Sequence, residues 1–350
     1  MGVHNRVSFR LGCALVAGVF LWWGSSISVV GQSAFPQRLD DYFTKVLKLS
    51  AQERKVLLAG APLAKNLDAD PGKEVAVFGA IWIAAPIAAY VSALQDIENF
   101  EKGASFRATK KVSEPARIED FAQLVLPDED VQDLKACKVG DCELKLSADA
   151  LARVKKEVDW TRPDAKAQLE RLVRMMAVDY VNEYRKGGNS ALAVYRDGAH
   201  PTFVANEFRE LVNGMPELTE YLPSMRQYLL EYPKPAPRPT TSFIYWQEAQ
   251  FGLKPTIRLN HVAIQEEIDA TIVASKQLYS SHYFWTALEL RALVPDPPRG
   301  TGFWFVNVNR SRSDGLSGFV GRIIRGKVRE AARSGIESAL TAAKKKLETR

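Results

Sequence analysis

From Phe303 to Arg312 the side chains alternate. Trp304, Val306, Val308, Arg310 and Arg312 fall on one face, and Phe303, Phe305, Asn307, Asn309 and Ser311 on the other. A period of two carried by aromatic and β-branched residues predicts a strand. The period then changes. Leu316, Phe319, Val320, Ile323, Ile324, Val328, Ala331, Ala332, Ile336, Ala339, Leu340, Ala343 and Leu347 make an apolar stripe of about nine helical turns. Ser313 or Asp314 supplies its cap. A strand that feeds a long amphipathic helix makes that helix a cover for one face of a sheet.

The upstream pattern supplies the sheet. Gln37 to Leu67 reads as two short helices with a break near Ser50. Glu74 to Ile83 alternates as a first strand, and Gly79 within it marks a bulge or a close approach. Pro86 opens a helix whose apolar face is Ile87, Tyr90, Val91, Leu94 and Ile97. Residues 103–127 read as extended or looped, and the segment after Pro127 as a short helix. Glu143 to Ser147 reads as a short strand, with Ser147 capping the helix that follows. Asp164 to Arg185 is the clearest helix of the middle region. Its stripe of Leu169, Leu172, Val173, Met176, Tyr180, Val181 and Tyr184 is assigned to core. Another short strand and two helices lead to Pro233, Pro235, Pro237 and Pro239, an extended, semi-rigid boundary. Beyond it, alternating runs separated by short turns predict antiparallel strands, with some helical character across Lys276 to Leu293.

The predicted fold is therefore α+β: an antiparallel sheet gripping a long C-terminal helix, with an inserted helical lobe. The divisions are 1–31 as a signal peptide, 37–102 as N-terminal helices plus the first strand and helix of the core, 103–240 as a mostly helical insert with the Pro-rich linker, and 241–350 as strands and the last helix.

Composition adds little to this: 46% apolar and 25% charged is an ordinary globular balance. The N-terminus adds more. Arg6 and Arg10 precede the apolar run LGCALVAGVFLWW and then small residues, the pattern of a secretory leader. An uncleaved membrane anchor is the alternative. Export to periplasm or medium agrees with cysteine usage. Cys137 and Cys142 flank a Gly-Asp turn and are expected to close a small disulfide loop. The charge surplus is local. From Gly315 onward nine Lys and Arg face three Glu, either as a solvated helix face or as a contact with an anionic membrane. A basic stripe elsewhere is lacking, which argues against nucleic acid.

No catalytic signature of the G-x-S-x-G, H-E-x-x-H or dinucleotide type is present, and no residue is assigned as catalytic, cofactor-binding or metal-binding. His261 and His282 lie in neighbouring runs. With Glu248 or Glu289 they would form a proton-transfer site if all pointed inward; otherwise they are satisfied structural histidines. Asn307, Asn309, Arg310, Arg312 and Asp314 cluster where strand meets helix. They serve hydrogen bonding and capping there, or Asn307 and Asn309 fix the polar head of a ligand.

The order of elements resembles the helix-grip fold of the START-like lipid-transfer superfamily. Its carriers here are EVAVFGAIWIAAPIAAYVSALQDI, the strands from Ser242 to Val308 and the helix from Gly315 to Lys346. The long insert and the long last helix depart from that family. The resemblance implies a ligand tunnel between sheet and last helix, lined by Phe305, Asn307, Asn309, His261, His282 and Phe284. The expected function is non-enzymatic carriage of a hydrophobic ligand, a lipid, in the cell envelope. A structural or interaction protein without ligand is the second expectation, and an enzyme using His261 and His282 the third. A cavity above ~300 Å³ separates the first from the second.

Overall fold

The computed structural model describes residues 34–103, 105–250, 254–316 and 318–349. The leader assigned to 1–31 lies outside them. The chain runs through helices α1 (Gln37–Lys45) and α2 (Ala51–Leu58), strands β1 (Leu63–Asn66) and β2 (Glu74–Ile83), helices α3 (Ile87–Gln95) and α4 (Ile97–Phe100), and strand β3 (Phe106–Val112). Helices α5 (Asp128–Ala136), α6 (Ala148–Glu157) and α7 (Ala165–Gly187) follow, then the short strands β4 (Val194–Tyr195) and β5 (Thr202–Phe203) and helices α8 (Val204–Asn213) and α9 (Pro223–Glu231). The chain closes with strands β6 (Thr240–Gln250), β7 (Pro255–Glu266), β8 (Thr271–Ser280), β9 (Phe284–Pro295) and β10 (Phe303–Ser313), and helix α10 (Gly318–Glu348).

Eight strands form one open sheet in the order β1-β2-β10-β9-β8-β7-β6-β3, and every neighbouring pair is antiparallel. The fold is α+β, with the long helix at its C-terminus. Strand β2 is buried along its whole length, so both its faces are covered. Its register against β10, with Trp82 opposite Trp304 and Gly79 opposite Asn307, sorts side chains onto two faces. The first face carries Phe78, Ala80, Trp82, Trp304, Val306 and Val308. It packs against α1, α2, α8 and α9 through Leu39, Phe43, Leu57, Phe208 and Met225. At the far end of that face, Ile244, Trp246, Ile257 and Leu259 meet α5, α6 and α7. The second face carries Ile81, Ile83, Phe303, Phe305, Val262 and Val273, under Tyr90 and Leu94 of α3 and Leu340 and Leu347 of α10.

Gly79 is the close approach. A Cβ built on it would lie 2.3 Å from Ile336 Cγ2 and 2.9 Å from Leu340 Cδ1, so α10 sits directly on the β2 backbone. Gly79→Ala is expected to destabilise the protein by ~1–3 kcal/mol, the usual result of overpacking. Urea unfolding checks this; an unchanged midpoint would mean that α10 is not seated on β2.

Local chemistry explains most boundaries. Ser50 Oγ accepts from Glu53 N at 3.2 Å while Ser50 N donates to Glu53 Oε2 at 2.7 Å, a reciprocal cap that starts α2 at the expected break. Ser147 Oγ accepts from Ala150 N at 3.1 Å and starts α6. Cys137 and Cys142 are bonded, with sulfurs 1.99 Å apart. Three expectations need correction. Leu63–Asn66, past the Gly60–Pro62 end of the second helix but within the stretch read as broadly helical, is a strand paired to β2. Phe106–Val112 is the outer strand on β6, although the sequence left it extended or looped. Glu143 to Ser147 is not a strand; its backbone bonds singly, Lys145 N to Ser281 O at 3.0 Å and Arg196 N to Leu146 O at 2.8 Å. For β3 and for Glu143 to Ser147 the partners are distant in sequence, which a local pattern does not report, while β1 is a four-residue strand whose partly polar side chains give little alternation. The insert also does more than form a lobe. It gives β3 to one edge of the sheet and α5 to α9 to the first face, and residues from Ala34 onward form one compact unit.

Candidate functional site

The first face is not filled everywhere. Trp246 of β6, Ile257 and Leu259 of β7 and Tyr279 of β8 look across at α6 and α7 over a cavity of about 380 Å³. On the helical side its wall is Val154, Val173, Met176, Ala177 and Tyr180. The last four recur at i, i+3, i+4 and i+7, one face of α7. They stay partly exposed while Leu169, Leu172, Val181 and Tyr184 of the same helix are buried. The volume equals about a dozen water molecules. Its wall beneath the charged rim is mostly apolar, the kind of surface that suits an apolar ligand.

Three tyrosines supply the polar positions. Tyr180 Oη donates to Leu278 O at 2.8 Å, and Tyr195 Oη accepts from Ser280 N at 3.4 Å. Among the described residues the Tyr279 hydroxyl makes no hydrogen bond. Its ring lies 6.4 Å from that of Tyr180 and 6.2 Å from that of Tyr195. Burial pushes all three phenols above their usual range, so they are neutral hydrogen-bonding groups. The rim is charged. Arg153 holds Asp179 at 3.1 Å, and Lys145 holds Asp197 at 2.9 Å and Asp314 at 3.0 Å.

The expected tunnel residues Phe305, Asn307 and Asn309 lie on the second face. Phe305 packs on Tyr90, with ring centroids 5.1 Å apart. Asn307 donates to Glu289 Oε1 at 2.7 Å, and Glu289 is also paired with Arg291. Around them is a polar floor on β6 to β10. Among the described residues, Gln247 Oε1, Asn260 Nδ2, Ser275 Oγ, Gln277 Nε2 and Asn307 Oδ1 are buried without a partner, as is Glu101 Oε2 beside them. Such atoms call for water or a polar ligand. Desolvation pushes the Glu101 carboxyl up to about 7, against the pull of Arg291. An acid with a raised folded pKa costs stability above its unfolded pKa and nothing below it. Glu101→Gln is therefore expected to stabilise the protein by ~2 kcal/mol near pH 8 and by nothing near pH 4, after discount for partial exposure. Denaturation at the two pH values checks it; equal shifts at both would exclude a titration effect.

The remaining candidates do not converge. His261 is on the first face with Tyr184 Oη 2.9 Å from Nδ1 and Tyr228 Oη 3.2 Å from Nε2, and Glu289 is on the other face. Beside it, Lys276 is buried and pairs with Asn189. His282 lies at the β8–β9 turn, its Nε2 3.1 Å from Asp130 Oδ1 and its Nδ1 3.3 Å from Glu143 O. With these two contacts, His282 fastens α5 to the β8–β9 turn. Phe284 opens β9 opposite Ser313 and is half-buried. Arg310 and Arg312 separate from Asn307 and Asn309 as the strand period requires, and pair with Glu74. Among the described residues no cluster of three His, Cys, Asp or Glu is placed to hold a metal ion, and no helix is long and apolar enough to cross a membrane.

The sequence missed the cavity because Val173, Met176 and Tyr180 look like core at helical spacing. The available signal was the width of the α7 stripe, which holds more apolar residues than one helix face buries. Neither a protein-family model nor a curated protein matches the chain.

Proposed function

We propose that this is an exported protein that binds and carries a hydrophobic molecule of the lipid class, without converting it, in the cavity between α6–α7 and the sheet. The observation that carries this is the apolar cavity of about 380 Å³ with the Tyr279 hydroxyl left for a ligand's polar end. The Cys137–Cys142 bond supports an oxidising compartment, periplasm or medium. A START-like relationship draws support from the element order and from a last helix laid on the sheet. The position of the cavity, on the face away from α10, departs from that family.

A second reading places the polar head of an amphipathic ligand on the floor around Asn307. It is favoured by the unpartnered atoms there. Native mass spectrometry with lipid extraction, on protein purified from its exported form, tests both. Under the first reading a co-purifying lipid is lost in Ala177→Trp, which fills the cavity, and kept in Asn307→Asp. The reverse pattern selects the second. A clean apo mass with no uptake from a lipid mixture sinks both and leaves a structural or interaction protein. Circular dichroism of each variant shows that the fold is retained.

A further inference from the structure

The two halves of α10 have different surroundings. The C-terminal half is fastened to the core: Ile336 and Leu340 lie on Gly79, Lys344 Nζ donates to Trp82 O at 2.8 Å and Ala84 N donates to Glu348 Oε1 at 2.7 Å. In the N-terminal half Arg325 reaches Pro71 O, yet three large apolar side chains stay in solvent. Ile323 is 53% exposed, Ile324 44% and Val328 37%. Ile324, Val328, Ala331 and Gly335 recur at i, i+4, i+7 and i+11, and all are exposed. The cations Arg322, Arg325, Lys327 and Arg329 border this stripe. Among the described residues none of the four has a carboxylate at ion-pair distance, whereas Glu330, the acid of this half, is held by Arg333, as is Glu337 of the next half.

An exposed apolar stripe bordered by uncompensated cations is complementary to one kind of surface, which is apolar inside and negative outside. We propose that the N-terminal half of α10, from Arg322 to Ala331, docks the protein on an anionic lipid bilayer. A second copy of the chain would fit the apolar stripe but would bring four like charges per protomer together, which opposes pairing. The docking half starts beside the cavity. Lys145, on the cavity wall, holds Asp314 at 3.0 Å, just before α10 begins. The docking stands on the helix surface alone and does not depend on the cavity reading.

Co-sedimentation of the purified protein with phosphatidylglycerol–phosphatidylcholine vesicles tests this, with pure phosphatidylcholine vesicles as the control. Binding is expected to need the anionic lipid and to fall at high salt. At ~1 kcal/mol per cation, the double substitution Arg322→Gln and Lys327→Gln should weaken it about thirty-fold. Ile324→Ser should weaken it at unchanged charge. Equal binding to neutral and anionic vesicles, or full binding by these variants, overturns the proposal. So does a dimer in sedimentation velocity that Ile324→Ser dissociates while vesicles are ignored. Vesicle binding with no lipid uptake would remove the cavity reading and keep the docking face.

Discussion

Replacing Glu74 by alanine is expected to destabilise the protein by ~3–5 kcal/mol, the usual cost of removing one partner from a buried ion pair. Glu74 is only 6% exposed and receives two guanidinium groups, Arg310 at 2.7 Å and Arg312 at 3.1 Å. Arg312 keeps Glu207 at 2.9 Å and Glu210 at 2.7 Å. Among the described residues, Arg310 keeps only the carbonyl of Asp68, at 3.4 Å. Most of the loss therefore comes from Arg310, which would remain charged in a buried site. The double variant Glu74→Ala with Arg310→Met should recover a large part of it, since an apolar pair removes the stranded charge. Urea unfolding of both variants measures the coupling. If Arg310→Met adds its own full loss to that of Glu74→Ala, the two residues are not a pair.

Acid is expected to weaken the fold through His261. Desolvation, followed by the charge of Lys276, lowers its pKa from 6.5 to about 3. A base whose folded pKa is depressed holds stability above its unfolded pKa and loses it as pH falls, because the unfolded chain takes up a proton that the folded chain refuses. The window is therefore pH 6.5 down to about 3. At 1.36 kcal/mol per unit, the full loss is on the order of 5 kcal/mol. His261→Asn removes the titration and disturbs the hydrogen bonds of Tyr184 and Tyr228, at ~1 kcal/mol near neutrality. Wild type should then be the more stable protein above pH 6.5 and lose that advantage towards pH 3. Parallel stability curves for the two proteins across this window would show that His261 does not titrate as described. Carboxylates common to both cancel in the difference.

Much of the architecture was legible because it is written in short periods. The alternation in β2 and β10, the stripe of α10, the Ser50 and Ser147 caps and the Gly79 approach are properties of residues a few positions apart. They give the element types, the antiparallel sheet and the last helix. The face assignment in β10 was legible too: a period of two puts Arg310 and Arg312 opposite Asn307 and Asn309 wherever the strand lies. Strands β1 and β3 were not legible. Each is short and partly polar; β1 is made a strand by pairing with the strand that follows it, and β3 by pairing with the distant β6.

The site was legible only in its residue types. The sequence supplied His261 and His282, with Glu248 or Glu289, as one candidate site and Asn307 as part of another; the sheet puts His261 and Glu289 on opposite faces. It supplied the Met and Tyr stripe of α7, but a periodic pattern fixes which side chains share a face, not the distance to the surface they confront. That distance depends on how α6 and α7 rest on β6 to β8, and it leaves about 380 Å³ between them. By itself the sequence determined the elements and their faces, because these follow from local sterics and the water-avoiding pattern. Only the tertiary structure decided where the empty space lies and which charges are left without partners, because packing and pairing join residues more than a hundred positions apart.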